Sequence, residues 1–341
     1  MPAAPSSAAP ASAIVIGAGS WGTALAAMLA ERGLAVQFWG RDEALMREID
    51  VTRRNPRYLS QLTLPAGVKT ASCLDELQPA GLVVFVVPSR GMRAVAAQVR
   101  AAGFVRDDDL VVSCTKGIEL ETGARMSEVI AEALPGRTVA ALSGPNHAEE
   151  IARHLPSAAV VACADQGRAL RLQECFTLPW FRCYTSDDVI GVEWAGALKN
   201  VYAIAAGIAR GMNLGDNAIA ALVTRALAEM IRFGIAKGGR AETFAGLSGV
   251  GDLVATCYSE HSRNSRVGRL LGQGTPLGEI VASTRMIAEG VPNTESLHHC
   301  ARQAGVRTPL LDEVYAILYQ DKPAKLAMRD LLSRDPRPEK E

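Results

Sequence analysis

The residue best placed for proton chemistry is Lys199, inside the apolar stretch 192–209 and flanked by Ala195-Gly196-Ala197-Leu198 and Asn200-Val201-Tyr202-Ala203. An amine among alanine, leucine and valine is partly stripped of water. That disfavours the ammonium and pulls its pKa from about 10.4 toward the range where it exchanges a proton near neutrality. Lys199 is thus a candidate general acid and base; the other reading is a side chain whose stem follows the helix face to solvent, and position alone does not decide between them.

A second cluster, Gly246-Leu247-Ser248-Gly249-Val250-Gly251-Asp252-Leu253, is followed by Thr256 and by Ser262-Arg263-Asn264. Closely spaced glycines with one aspartate and a Ser-Arg-Asn run suit a loop drawn up to a small anion. Arg263 would be a two-pronged phosphate donor, Ser262 and Asn264 neutral donors, and Asp252 a carboxylate that orients a cation such as a lysine ammonium. A helix cap with a surface pair accounts for the same residues equally well.

Near the start, Gly17-Ala18-Gly19-Ser20-Trp21-Gly22 follows a β-branched run and opens an alanine-rich one. In a strand-to-helix turn Gly17 permits the tight reversal, Gly19 lets a pyrophosphate approach the backbone, and Gly22 lets the helix lie against the sheet. Three glycines alone are a weak signal, so the dinucleotide reading rests on their place in the first strand–helix–strand unit. The second strand ends in Trp39-Gly40-Arg41-Asp42. Arg41 stands where a carboxylate would meet a free ribose 2′-hydroxyl, so NADP(H) is preferred, and Asp42 keeps NAD(H) possible. The plain alternative is a solvated loop arginine.

These groups need a scaffold. Up to about residue 190, β-branched runs at 13–16, 35–39, 82–87, 110–113, 138–142 and 158–162 alternate with helical stretches such as 22–32, closed by Gly33. Runs without polar alternation are expected of parallel strands covered on both faces, hence an α/β, Rossmann-type doubly wound sheet. Beyond 190 the pattern turns helical. The clearest stripe spans 216–237, with Asp216 expected to cap its start and Gly238 its end, and further helices are expected at 276–282, 294–304, 309–320 and 323–332. The expected organisation is a loose tail at 1–12, a dinucleotide-binding domain at 13–190, an all-helical substrate and catalytic domain at 191–333 and a loose tail at 334–341.

Composition narrows the function. The 341 residues carry 36 basic and 36 acidic side chains, which argues against nucleic acid or an anionic membrane as partner. The longest apolar runs, 80–88 and 201–209, fall well short of the roughly 18–20 residues that cross a bilayer. The Ala, Pro and Ser of residues 1–12 do not resemble a secretory signal. Seven cysteines at 73, 114, 163, 175, 183, 257 and 300 include no CxxC pair and no histidine at metal spacing. They are expected to be reduced thiols in a cytoplasm, mostly small core residues, with no metal site.

Eight blocks in order then carry a resemblance: GAGSWGTALA at 17–26, KGIE at 116–119, SGPNHAEE at 143–150, GALKNVYAIAAGI at 196–208, GDNAIAAL at 215–222, GLSGVGDLVATC at 246–257, SRN at 262–264 and EGVPNT at 289–294. Together they resemble the bacterial NAD(P)-dependent sn-glycerol-3-phosphate dehydrogenases. The resemblance implies that Lys199 is the catalytic lysine, proton donor when dihydroxyacetone phosphate is reduced and acceptor in reverse. It implies that Lys116 touches substrate and cofactor, that Gly144 and Asn146 touch substrate, and that Ala148 touches cofactor. Asp252, Ser262, Arg263 and Asn264 become substrate and phosphate contacts, with Arg263 also reaching the cofactor; Ser20, Trp21, Arg41, Ile287 and Glu289 become the remaining cofactor contacts. A homodimer and a role in supplying glycerol phosphate for membrane lipids follow from the same resemblance.

One departure stands out: the family often has Ser-Phe after Gly-Pro, where this chain has Asn146-His147. The contact at 146 must then come from an amide or the backbone, and no second acid at His147 is required. Two other readings remain at this level. A two-domain hydroxy-acid or sugar-nucleotide dehydrogenase would not need the Ser-Arg-Asn cluster, and a non-catalytic NADPH-binding sensor would have no use for a buried proton donor.

Overall fold

The computed structural model describes residues 9–260, 262–283, 288–336 and 338–339. The β-branched runs become β1 (Ser12–Ile16), β2 (Ala35–Trp39), β3 (Arg54–Asn55), β4 (Leu59–Thr63), β5 (Val68–Ala71), β6 (Leu82–Phe85), β7 (Leu110–Ser113), β8 (Val139–Ser143), β9 (Ser157–Ala162) and β10 (Phe181–Ser186). Eight of them form one sheet in the order β10-β9-β8-β7-β6-β1-β2-β5, and β3 pairs with β4 in a separate ribbon. The continuous apolar runs are explained by burial on both faces: Ala13, Val15, Val84 and Val112 enter one core, Ile14, Ile16, Val83 and Val111 the other.

The sheet departs from expectation at one joint. β9 runs antiparallel to β8, and only β10 restores a parallel pair with β9. The β8–β9 connection holds a single four-residue helix, Ala148–Ile151. At about 1.5 Å per residue that helix spans about 6 Å, too little to return the chain along a five-residue strand.

Helix Ser20–Glu31 follows β1 and ends before Gly33, which takes a left-handed φ of 100°. After β10 the chain is helical, and its axis is the 23-residue helix Val189–Gly211, opened by Asp188, whose carboxylate accepts from Gly191 N at 2.8 Å. Helix Arg263–Gly272 packs on it backbone to backbone: a Cβ on Gly207 would stand 2.2 Å from Ser265 O, and one on Gly268 2.0 Å from Ile204 O. This contact carries Ser262-Arg263-Asn264 toward the Lys199 helix.

The striped segment forms helix Gly215–Ala236, but Asp216 does not cap it. Gly215, at φ 78°, turns the chain into the helix one residue early, which puts Asp216 inside the first turn, where its charge still meets the positive end of the dipole. The remaining expected helices are Leu277–Ala282, Gly290–Gln303, Pro309–Tyr319 and Ala324–Leu332. The third of these starts from Pro at its first turn, and the Gly290 helix begins four residues before the expected Thr294. Six cysteines are buried and Cys73 is exposed. Among the described residues no helix is long and apolar enough to cross a membrane.

Candidate active site

The parallel strands aim their carboxyl ends at one crevice, the place where open α/β sheets bind ligands. Lys116 follows β7 and Gly144 follows β8; Lys199 comes from helix Val189–Gly211, and Asp252 and Thr256 from helix Asp252–Tyr258. The last helix grows directly from a π-helical turn, Leu247–Gly251, so the second glycine cluster is the device that presents Asp252.

The crevice joins these residues into one largely buried network, with Lys116 at its more exposed side. Lys199 Nζ donates to Asp252 Oδ1 at 3.0 Å and to Thr256 Oγ1 at 2.7 Å. Lys116 Nζ donates to the other carboxylate oxygen at 2.6 Å and to Gly144 O at 2.7 Å. The Lys199 side chain is only 8% exposed, so it does not follow the helix face to water. Burial pulls its pKa down to about 8, with Asp252 opposing the shift and the Lys116 charge adding to it. Burial works to raise the Asp252 carboxyl, but the Lys116 and Lys199 ammoniums outweigh it and hold the group below the usual carboxylate range. The arrangement is an amine that exchanges its proton near neutrality, with both carboxylate oxygens anchored between two cations.

Other expected residues surround this centre. Asn146 donates from Nδ2 to Ala158 O at 2.9 Å, while its Oδ1 is buried without a partner. His147 places Nε2 3.4 Å from Ala255 O; burial, then the Lys199 charge, hold its pKa below the ordinary imidazole value. Ala148 is buried at the start of the one-turn helix. Ser262 caps helix Arg263–Gly272 by accepting from Ser265 N at 3.2 Å, so the cap reading holds for this residue. Asn264 is buried, donates to Asn200 Oδ1 at 2.8 Å and accepts from Gly290 N at 2.9 Å. Arg263 is exposed, and its charge acts on Glu289. Glu289 takes a bond from Ser89 Oγ at 2.8 Å; burial raises its pKa against that bond. Ile287 lies outside the described residues.

The glycine motif follows β1, two strands along the sheet from β7, which precedes Lys116. Gly17 has φ 125°, and a Cβ there would stand 2.7 Å from Val86 O; a Cβ on Gly22 would stand 1.8 Å from Gly17 O. A Cβ on Gly19 would meet nothing within 4 Å, so the space above it is open. No side chain caps helix Ser20–Glu31, which leaves its first amides to an anion. The Ser20 hydroxyl is committed to Tyr58 O at 3.0 Å, and the Trp21 indole N–H is buried without a partner. Asp42 is spent on capping the next helix, at 3.0 Å from Leu45 N, and on Arg57, whereas Arg41 is exposed at the end of β2. Open backbone, uncapped amides and an exposed guanidinium fit a dinucleotide phosphate cradle.

Three network members escape a reading of residue types alone. Thr256 follows the glycine cluster in the sequence but carries no role there; at i+4 from Asp252 it shares that helix face. Asn200, beside Lys199, donates to Lys116 O at 3.2 Å, and Asn293 donates to the same oxygen at 3.2 Å.

Residues 12–169 match the N-terminal model of NAD-dependent glycerol-3-phosphate dehydrogenase and residues 188–329 match the C-terminal one. The chain belongs to the NAD-dependent glycerol-3-phosphate dehydrogenase family. It is 47% identical to the glycerol-3-phosphate dehydrogenase [NAD(P)+] of Geobacter metallireducens, over 96% of this chain and 98% of the relative, and 46% identical to that of Moorella thermoacetica, over 94% and 95%. Among solved structures, the glycerol-3-phosphate dehydrogenase of Coxiella burnetii superimposes with a TM-score of 0.91 at 36% identity, covering 94% of this chain and 98% of that one. A ketopantoate reductase from Ralstonia eutropha, at 18% identity and a TM-score of 0.60, shares the fold alone. Membership of the glycerol-3-phosphate dehydrogenase family sets aside the sensor and the hydroxy-acid or sugar-nucleotide readings.

Proposed function

We propose that the chain interconverts sn-glycerol 3-phosphate and dihydroxyacetone phosphate with NADP(H), and less readily NAD(H), using Lys199 as general acid and base. The observation that carries this reading is the buried Lys199–Asp252–Lys116 arrangement, with an amine whose pKa is brought to about 8. When bound, the nicotinamide supplies the hydride to C2 of the ketone and takes it back in reverse. The backbone around Gly17, Gly19, Ser20, Trp21 and Gly22 would hold the pyrophosphate, with Arg41 on the 2′-phosphate; Ala148, Glu289 and Ile287 complete the cofactor contacts.

Lys199 delivers its proton to the ketone oxygen as negative charge builds there, and takes one from the alcohol in the other direction. Lys116 and Asp252 orient that amine and neutralise the site, with Gly144 and Asn146 bordering the substrate. Ser262, Arg263 and Asn264 hold the phosphate, so binding energy from a group that does not react fixes the carbonyl against the lysine. We read the chain as two domains meeting near residue 190, working as a cytoplasmic homodimer that supplies glycerol phosphate for membrane lipids.

The test is loss of NADPH absorbance on adding dihydroxyacetone phosphate. Lys199→Ala is expected to lower turnover in both directions by about 10²–10⁴-fold while NADPH binding, followed by its fluorescence, persists. Turnover near that of the unchanged protein would overturn the acid–base role.

A further inference from the structure

The Lys116 ammonium reaches Asp252 from a loop that belongs to the sheet, yet what holds that loop comes from the helical half. Asn293, on helix Gly290–Gln303, is fully buried, and both ends of its amide are used on the same short stretch of backbone. Its Nδ2 donates to Lys116 O at 3.2 Å and its Oδ1 accepts from Ile118 N at 3.5 Å. One side chain thus imitates a strand partner for residues 116–118. Gly117 makes room for it: a Cβ there would stand 3.0 Å from Asn293 Oδ1 and 2.7 Å from Ser89 Cβ.

The grip is also closed on itself. Asn200 Nδ2 donates to the same Lys116 oxygen at 3.2 Å, Asn264 Nδ2 donates to Asn200 Oδ1 at 2.8 Å, and Asn264 Oδ1 accepts from Gly290 N at 2.9 Å, at the start of the Asn293 helix. Three amides and one carbonyl form a ring through three helices and the loop after β7. Buried amides persist only when their donors and acceptors are matched, so the ring has one well-defined arrangement and that arrangement fixes the Lys116 backbone.

Building on the dehydrogenase reading, we propose that Asn293 is a positioning residue for the reaction: it clamps the backbone at 116–118 so that the Lys116 ammonium is delivered to Asp252 beside Lys199. It acts through Lys116, without a bond to Lys199 or Asp252.

This role has a signature that a purely structural one lacks. The groups acting on the Lys199 charge are Asp252 and Cys257 on helix Asp252–Tyr258, Lys116 on its loop, and His147 across from it. Of these, Lys116 sits on the other side of the Asp252 carboxylate and competes for it. If the clamp is lost and Lys116 withdraws, Asp252 is left to Lys199 alone, the ammonium is favoured, and its titration moves upward.

The experiment compares the unchanged protein with Asn293→Ala and Asn293→Ser, following ketone reduction across pH together with thermal unfolding. The expected result is a fall in kcat of about 10²-fold and an alkaline limb displaced upward by about one pH unit. Asn293→Ser, the smaller perturbation, is expected to give the same displacement should the alanine variant fail to fold. A folded variant with reduced stability but the limb at its original pH overturns the inference and leaves Asn293 a packing residue. An unchanged protein that does not oxidise NADPH with dihydroxyacetone phosphate overturns the functional reading instead.

Discussion

The environment of Lys199 decides when the proposed proton transfer can run. Burial sets its pKa to about 8, and Asp252 is the foremost group holding it up against that burial. In the proposed acid–base role, reduction needs the ammonium and oxidation the free amine, so reduction is expected to fall as pH rises through about 8 and oxidation to rise through the same range. Asp252→Asn removes the attraction and leaves two lysines facing each other, so the limb is expected to move down and reduction at neutral pH to fall. A pH–rate series in both directions checks the pair of signs; a limb that stays in place in Asp252→Asn would show that another group titrates there. Much at this scale was legible. The apolar helix marks Lys199 as a candidate for desolvation, but only its 8% exposure decides against a stem that follows the helix face to water; an aspartate after clustered glycines suits an orienter of a lysine ammonium, and Asp252 contacts two. Asn293 and Ser89 were not legible: asparagine and serine are common, and their partners lie 177 and 200 positions away.

Among the elements, the first strand–helix turn was readable in detail because each of its glycines answers a different steric demand. That difference yields a paired prediction. A Cβ on Gly22 would stand 1.8 Å from Gly17 O, so Gly22→Ala must lift helix Ser20–Glu31 off the turn. It is expected to cost about 1–3 kcal/mol of stability together with NADPH affinity. A Cβ on Gly19 projects into open space, so Gly19→Ala is expected to melt like the unchanged protein yet bind NADPH more weakly, because the methyl group occupies the approach of the phosphate. Thermal unfolding and fluorescence titration separate the two; equal NADPH affinity in Gly19→Ala would place the phosphate elsewhere. The segment 54–71 and β10 were harder to read. β3 has two residues, β4 is half exposed, and β10 alternates buried and exposed positions at the sheet edge, unlike the continuous apolar runs of the interior. The direction of β9 was not readable, since an antiparallel strand buried on both faces has the same composition as a parallel one.

At the scale of the whole molecule, the two halves are tied by buried polar pairs, one of them six residues, about 9 Å, along the helix from Lys199. Glu193, near the start of helix Val189–Gly211, accepts from Ser127 N at 2.8 Å and from Arg125 Nη1 at 2.7 Å, at the start of helix Met126–Ala133. Its side chain is 4% exposed, so the guanidinium is the cation that makes a charge tolerable there. Burial already raises the Glu193 pKa, with Arg125 foremost in opposing it. Arg125→Ala leaves the carboxylate buried without its cation, expected to destabilise the protein by about 3–5 kcal/mol at alkaline pH. Without the arginine the folded-state pKa climbs further above the unfolded value, so the folded form takes up the proton first as pH falls. The stability lost by the variant is therefore expected to shrink toward acid and grow as pH rises through the folded-state pKa. Urea unfolding of both proteins on the acidic and alkaline sides of neutrality measures that gap; a gap independent of pH would mean that Glu193 keeps its charge by drawing on the Ser127 donors or on water, and that the joint between the halves does not depend on the ion pair.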